Sequence, residues 1–343
     1  MKKVLLISLI TVGLYSCRST NLVFISVLQP APVTVPANIK NVGIVNRSVV
    51  NDKNKALDIV DKVLSMEGDS LDSQVAQQAV IGLADELIKN NRFSDVTAFN
   101  NMDLRSNVPG QFSAPLSWDQ VNKICREKDI DVLFVLELFD TDSKVSYAAV
   151  PVSIKTPLGN VPGIEHRASM LTNVKTGWRI YDPVQEVLLD EFAVAQHVTF
   201  SGKGINPVAA AGAIMNRKEA LKDVSNRTGH EYALRLIPYW IRVSRDYYVK
   251  GTNNFKIAKR KAQTRNWDGA AELWKKETTS SSGKIAGRAC YNMAISCEIN
   301  GELDLAIEWA QKAYENYGNR LALQYVNILR NRKGNNNVLK DQL

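Results

Sequence analysis

The chain has 343 residues, 45% of them hydrophobic and 23% charged, with a formal net charge of +8. That length accommodates two domains, and the modest positive excess permits weak attraction to anionic lipids or glycans. Its 4 cysteines and 3 histidines are scattered; their spacing forms neither a metal site nor a redox pair, so no metal and no cofactor is expected.

Met1-Lys2-Lys3, the apolar run Val4 to Leu14 and the small residue Ser16 describe an export signal. The apolar run is about half the roughly twenty residues that cross a bilayer, which argues against a permanent membrane helix. Leu14-Tyr15-Ser16-Cys17 resembles the lipobox of bacterial lipoproteins. That resemblance implies cleavage before Cys17 and acylation of it; several acyl chains hold a protein where one does so only marginally. Arg18 and Ser19 follow, without an acidic run. By resemblance to lipoprotein sorting rules, this implies an outer-membrane, periplasm-facing destination.

Residues 18 to 39 include Gln29-Pro30-Ala31-Pro32-Val33-Thr34-Val35-Pro36. Prolines at that density predict an extended tether, with an edge strand over Leu22 to Leu28 as the alternative. Asn41 to Arg47 reads as a short buried strand. Gln74 to Asn90 follows as a helix with Val75, Ala79, Leu83, Leu87 and Ile88 on its apolar stripe. Phe93 to Phe99 is the next strand. Ser117 is a candidate cap for a helix that turns Val121, Ile124 and Cys125 inward. The unbroken apolar run Val132 to Leu136 fits an interior strand covered on both faces. Alternating helix and strand predict an α/β domain, a mixed sheet with packed helices.

From Lys144 to Phe200 the pattern is that of antiparallel strands, read as Val145 to Ile154, His166 to Val174, Trp178 to Tyr181 and Glu186 to His197, with a hairpin connection expected over Asn173 to Trp178. Pro207 to Met215 and Lys218 to Tyr239 are helical, with Tyr232, Leu236 and Tyr239 on one face and Pro238 as a boundary. Ile241 to Val249 reads as a final strand, and Gly251-Thr252-Asn253-Asn254 as a domain junction.

Beyond Phe255 an all-α region is expected. Asn266 to Trp274 aligns with Gly301 to Trp309, placing Trp267 opposite Leu303 and Ala270 opposite Ala306 at a period of 36 residues. This region resembles the tetratricopeptide repeat family. Its better copy runs from Gly287 to Tyr314, with Met293, Ala294, Leu303, Ala306, Ala310 and Ala313 at the packing positions and Gly301 at the turn. The weaker copy starts near Phe255 and departs from the pattern at Lys261 and Glu277. A helical hairpin with a closing helix is the plainer reading. Cys290 and Cys297, about 10 Å apart on one helix face, are too far apart for a disulfide and read as small buried residues. The segment Val243-Ser244-Arg245-Asp246-Tyr247-Tyr248 leading into this tail resembles an uncharacterised lipoprotein family of the Bacteroidota. The front domain's strand and helix order resembles the periplasmic α/β domains of envelope assembly lipoproteins and penicillin-binding protein activators. The full organisation read this way is a signal peptide over 1–16, Cys17 with its tether through 39, an α/β domain over 40–250, a tetratricopeptide-like domain over 251–335 and a polar tail over 336–343.

Asp140 and Asp142 follow the central strand and could be joined by His166 or His197, since α/β sites favour strand ends. Solvated turn carboxylates explain them more simply, and no catalytic residue is assigned. Gly202-Lys203-Gly204 lacks the remainder of a P-loop and reads as a surface turn. The run Arg242 to Arg265 is more informative. Within it Arg242, Arg245, Lys256, Lys259, Arg260 and Lys261 form a candidate anionic-partner site, while Trp274, Tyr291 and Trp309 are candidate protein contacts. Export makes nucleic acid an improbable partner; the expected partners are the membrane, through the lipid, and an envelope protein or an anionic glycan or lipid. The sequence thus suggests an outer-membrane-anchored lipoprotein acting as a non-catalytic scaffold or adaptor. A glycan-processing enzyme and a periplasmic ligand-binding protein are the alternatives.

Overall fold

A computed structural model describes residues 19–48, 68–99, 102, 104, 110–157, 159–214 and 217–343. The expected signal peptide and Cys17 lie outside them. The chain divides into two compact units. One is an α/β unit of residues 31–238 with 341–343; the other, a helical unit, takes the chain up to residue 30 and residues 239–340. The junction therefore falls at Pro238, ahead of the expected boundary at residue 250.

The expected tether is replaced by ordered structure. Residues Thr20–Gln29 form strand β1, paired antiparallel along its length with β7 (Tyr239–Tyr248) in the helical unit. Alternation explains the strand: Leu22, Phe24 and Ser26 are exposed, whereas Val23, Ile25 and Val27 turn inward. In the α/β unit, Val33, Val35 and Ile39 are buried in the main core, and Val33 N donates to Arg235 O at 3.0 Å. The prolines shape a packed segment.

The α/β unit contains β2 (Asn41–Asn46), α1 (Gly68–Lys89), β3 (Asp95–Phe99), α2 (Trp118–Lys128), β4 (Val132–Thr156), β5 (Gly159–Asp182), β6 (Val187–Gly204), α3 (Pro207–Gly212) and α4 (Arg217–Ala233). Its sheet runs β3-β2-β4-β5-β6, parallel among the first three strands and antiparallel thereafter. The first eight residues of β4 are buried because both faces are covered. Val132, Phe134 and Leu136 join the core that includes α1 and α4, and Leu133 and Val135 join the cluster with Val121 and Ile124 of α2. The cap of α2 is as expected: Ser117 Oγ accepts from Gln120 N at 3.3 Å, and Gln120 Oε1 accepts from Ser117 N at 3.1 Å. On α1, Val75, Ala79, Leu83 and Leu87 are buried, but Ile88 is exposed.

The expected hairpin connection over 173–178 does not form, because β5 runs straight through it. Gly177 serves close packing there, since a Cβ would lie 2.7 Å from Phe112 Cζ. The turn instead follows Asp182, whose Oδ1 accepts from Val184 N (2.9 Å) and Gln185 N (3.1 Å). Gly202 and Gly204 likewise belong to β6, where added Cβ atoms would strike the α3 backbone at Ala210 and Ala209. They permit packing and do not make a surface turn. Tyr239 begins β7 and is half exposed, leaving Tyr232 and Leu236 alone as the buried members of their expected trio.

A buried carboxylate organises one side of this unit. Glu137 lies at the register shift between Leu136 and Leu138. It accepts from Arg47 Nη1 (2.9 Å) and Tyr181 Oη (2.8 Å), with Arg179 Nη1 at 3.5 Å. Arg47 and Arg179 also donate to the carbonyls of Leu104, Ala114 and Ser113. Burial pushes the Tyr181 phenol up to about 12.

The helical unit follows β7 with α5 (Asn253–Gln263), α6 (Trp267–Glu277), α7 (Gly283–Ile299), α8 (Leu303–Glu315) and α9 (Arg320–Gln342). Residues 336–342, expected as a polar tail, continue α9, and Leu339 is buried. Central α7 buries Ala289, Cys290, Met293, Ala294 and Cys297. Burial raises the Cys290 and Cys297 thiols to about 11. Ala306, Ala310 and Ala313 of α8 are fully buried, as their spacing predicts. Glu277, in place of a small residue, accepts from Thr252 Oγ1 and Asn254 Nδ2, each at 2.7 Å, at the start of α5. Buried Asn292 pairs with the backbone of β7 like a neighbouring strand: Tyr248 N donates to its Oδ1 and its Nδ2 donates to Tyr248 O, each at 2.7 Å.

The carboxylate of Glu298 is fully buried in this unit. Arg245 Nε (2.8 Å), Arg332 Nη1 (2.8 Å) and Tyr325 Oη (2.6 Å) donate to it. Burial alone would raise its pKa, but the hydrogen bonds from Arg245 and Tyr325 and the charge of Arg245 outweigh that and hold it below its usual range. Arg245 is thus committed to the core and is removed from the expected anionic site.

Two expectations follow. Helices α1 and α4 touch backbone to backbone: a Cβ on Gly229 would overlap the Ala79 carbonyl, and one on Gly82 would overlap that of Asn226. Gly229→Ala should therefore lower the stability of the α/β unit by about 2 kcal/mol or more in urea unfolding, the upper part of the usual overpacking range. In the helical unit, Glu298→Gln leaves Arg245 and Arg332 without a counter-charge and should cost about 3 kcal/mol at pH 7. Because folding depresses the Glu298 pKa, its contribution is fully present above the unfolded value of about 4.3 and is lost as pH falls through the folded value. The gap between wild type and variant should close in acid, as pH-dependent thermal unfolding would show.

Candidate functional site

Helix α5 is amphipathic in a specific way. Phe255, Ala258 and Ala262 are buried, whereas Lys256, Lys259, Arg260 and Gln263, spaced i, i+3, i+4 and i+7, share the adjoining face. That face lines a cavity of about 600 Å³, completed by Val249, Lys250 and Gly251 at the end of β7. Gly251 is required for the approach, since a Cβ there would lie 2.8 Å from the Phe255 ring and 3.1 Å from Ile285 Cδ1. Arg288 positions the strand end from beside it, donating to Lys250 O at 2.8 Å with its guanidinium over the Tyr248 ring at 5.0 Å.

No acidic side chain among the described residues lines this cavity. Among the described residues, the side chains of Lys250, Lys256, Lys259 and Arg260 make no hydrogen bond or ion pair. Part of this charge has a local cause: Arg260, in the last turn of α5, is favoured by the helix dipole. Lys256, at the end of the first turn, is placed against that dipole, and Lys250 adds charge to the same end. An anion in the cavity would relieve both.

The structure thus brings Lys256, Lys259 and Arg260 together and adds Lys250. It separates the other three cations proposed from sequence. Arg242 stacks over the Phe24 ring at 4.8 Å on the β1–β7 ribbon, Arg245 is bound to Glu298, and Lys261 reaches the turn between α5 and α6 beside Asn266 and Gly269. The aromatic candidates are also corrected. Trp274 is fully buried and Tyr291 nearly so, in edge and tilted ring contacts with Tyr247, Tyr248, Trp267 and Tyr325, so neither can meet a partner. Trp309 is half-buried, with Lys312 Nζ 5.1 Å above its ring. Arg288 had no signal in the sequence, because its role depends on a neighbour 38 positions away.

In the α/β unit, Asp142, Asn173 and His197 lie in one row across β4, β5 and β6. The outer two are therefore about 10 Å apart, and both are exposed. Asp140 faces Lys175, and His166 faces Ala149 farther along the sheet. These residues do not converge. A separate cavity of about 510 Å³ is lined by Ile39, Arg126, Asp129, Asp131 and Asp182, among others. It lies where the parallel strands begin, opposite the end at which α/β sheets usually bind ligands. Asp131 and Asp182 already accept backbone hydrogen bonds there. Among the described residues, no group of His, Cys, Asp and Glu could hold a metal ion.

The family model described as "Domain of unknown function (DUF8603)" matches residues 39–248. A second, "Domain of unknown function (DUF6340)", matches residues 256–331. No curated protein matches the chain. Among solved structures, the PelC dodecamer from Paraburkholderia phytofirmans is 10% identical with a TM-score of 0.24, covering 63% of this chain and 97% of that one. A neuraminyllactose-binding hemagglutinin homolog from Helicobacter pylori is also 10% identical with a TM-score of 0.24, covering 60% of this chain and 84% of that one. Scores this low carry no inference about the fold or the site. The match over residues 39–248 spans more than half of the sequence, and the chain belongs to the DUF8603 family, a domain of unknown function.

Proposed function

We propose that the protein is a lipid-anchored, non-catalytic adaptor of the cell envelope whose helical unit holds an anionic partner in the cavity of Lys250, Lys256, Lys259 and Arg260. The observation that carries this reading is the set of four cations around one cavity with no carboxylate among its described lining residues. The sequence of Cys17 and its surroundings supports an outer-membrane anchor facing the periplasm. Helices α5 to α8 are two consecutive helical hairpins with alanines at the close-approach positions, which supports a tetratricopeptide-like reading of this unit. Catalysis on an envelope glycan has less support, because Asp140, Asp142 and the histidines are dispersed. Ligand binding by the α/β unit has a cavity in its favour, but two of its carboxylates are already engaged.

Two measurements test the proposal. Lys256→Gln/Lys259→Gln/Arg260→Gln should weaken binding to a sulfated glycan such as heparin about tenfold or more, and wild-type binding should fall with salt. Arg265→Gln/Lys275→Gln/Lys276→Gln loses the same charge outside the cavity and should bind like wild type. Equal loss in both triple variants would reduce the effect to net charge and sink the site. All six positions being at the surface or partly so, stability should change by no more than about 0.5 kcal/mol at each. For the anchor, Cys17→Ala should abolish labelling by a palmitate analogue and release the protein from the membrane fraction. Continued lipid labelling would refute the assignment.

A further inference from the structure

The feature that neither the cavity nor the anchor uses is the far end of the β4–β5 hairpin. Strand β6 pairs with β5 only as far as His166 opposite Gly204, whereas β4 and β5 remain paired out to Thr156 opposite Gly159. From Val150 outward, a two-stranded arm projects beyond the sheet by about 20 Å. An isolated hairpin of this kind is only marginally stable in water without a surface to pack on.

Its side chains show what kind of surface. Cross-strand partners share a face, so Val150, Val152, Ile154 and Val161 lie on one side, and Pro151, Pro162 and Ile164 on the other. Ile164 is 64% exposed, Ile154 51% and Val161 49%. Between Asp142 and Glu165 the only charged residues are Lys144 and Lys155. Glu165 is neutralised at the base of the arm by Arg167 and Lys203. The mid-sheet surface carries Asp140, Asp142, Lys175 and His197; the arm beyond it is apolar with a positive tip.

We propose that the arm inserts its tip into the interfacial layer of an anionic lipid bilayer. A protein groove would cover one face of the ribbon, whereas a bilayer surface meets both, and each carries exposed apolar side chains, Ile154 and Val161 on one and Ile164 on the other. Lys155 at the tip, and Arg167 and Lys203 at the base with Glu165 between them, match an anionic headgroup layer. Pro151 and Pro162 have no N–H to leave unpaired at the open edges. The remaining open-edge groups still need water or headgroups, which confines insertion to the interface and forbids spanning. A pairing of arms from two copies is the competing occupant.

The test uses the full chain in a Cys17→Ser background, so that neither an acyl anchor nor that thiol contributes, with Ser153→Cys carrying a nitrobenzoxadiazole dye. The chain's described cysteines are buried and stay unlabelled in the native protein. With phosphatidylglycerol-containing vesicles in 0.5 M salt, at which the cationic cavity is screened, the dye should shift to the blue and be quenched by spin-labelled lipid. A dye at Thr199→Cys, on the mid-sheet surface, should do neither. Ile154→Asp/Val161→Asp should lower vesicle partition about tenfold or more, as expected for removing two large apolar contacts. No shift at position 153, or an equal shift at 199, would overturn the proposal. So would a blue shift that appears without vesicles and grows with protein concentration, which would assign the arm to a second copy. None of these outcomes depends on the cavity.

Discussion

In each unit a carboxylate with a fully buried side chain, Glu137 or Glu298, fixes much of what surrounds it through the cost of its burial. An unpaired charge in the interior costs several kcal/mol, so Glu137 and Glu298 must each be matched from several directions. The solutions are alike: Arg47, Arg179 and Tyr181 hold Glu137, and Arg245, Arg332 and Tyr325 hold Glu298. In the first case the arginines have donors to spare and take the carbonyls of residues 104, 113 and 114. In the second, a strand residue, one from α7 and two from α9 are forced to meet, which locks β7 onto the helices.

This requirement also separates the cations by role. Arg245 and Lys256 belong to the same basic run, yet the first answers an internal carboxylate and the second answers nothing. Sequence shows the run and the aromatics within it. It does not show which cations are already committed, because Glu298 lies 53 positions from Arg245. The same limit applies to Trp274 and Tyr291: large aromatics read equally well as surface anchors or core, and here the core takes them.

What was legible depended on local physics. Ser117 ahead of Val121, Ile124 and Cys125 specified a helix start, the run Val132 to Leu136 specified a doubly covered strand, and Ala306, Ala310 and Ala313 specified a close helix pair. The partner of β1 was not legible, because its ladder joins residues more than two hundred positions apart and a proline-rich neighbour suggested an extended arm. The β5 turn was misplaced for a related reason. Asparagine, lysine and glycine within five residues look like a turn, but Gly177 is there to admit the Phe112 ring, and the turn is made by the side chain of Asp182.

The uncompensated cations of α5 are inexpensive to keep. Two like charges about 10 Å apart in water repel by only about 0.4 kcal/mol, and physiological salt reduces this further. Folding is therefore little affected by whether Lys250, Lys256, Lys259 and Arg260 are neutralised. The balance differs for a bound anion, which meets several cations at once, at closer range and in a partly enclosed cavity, so that small terms of one sign add. A fold can carry such a cluster almost without cost, while a ligand gains from every member of it. This asymmetry is why the cavity of the helical unit, and neither of the tightly paired carboxylate clusters, is the place to look for a partner.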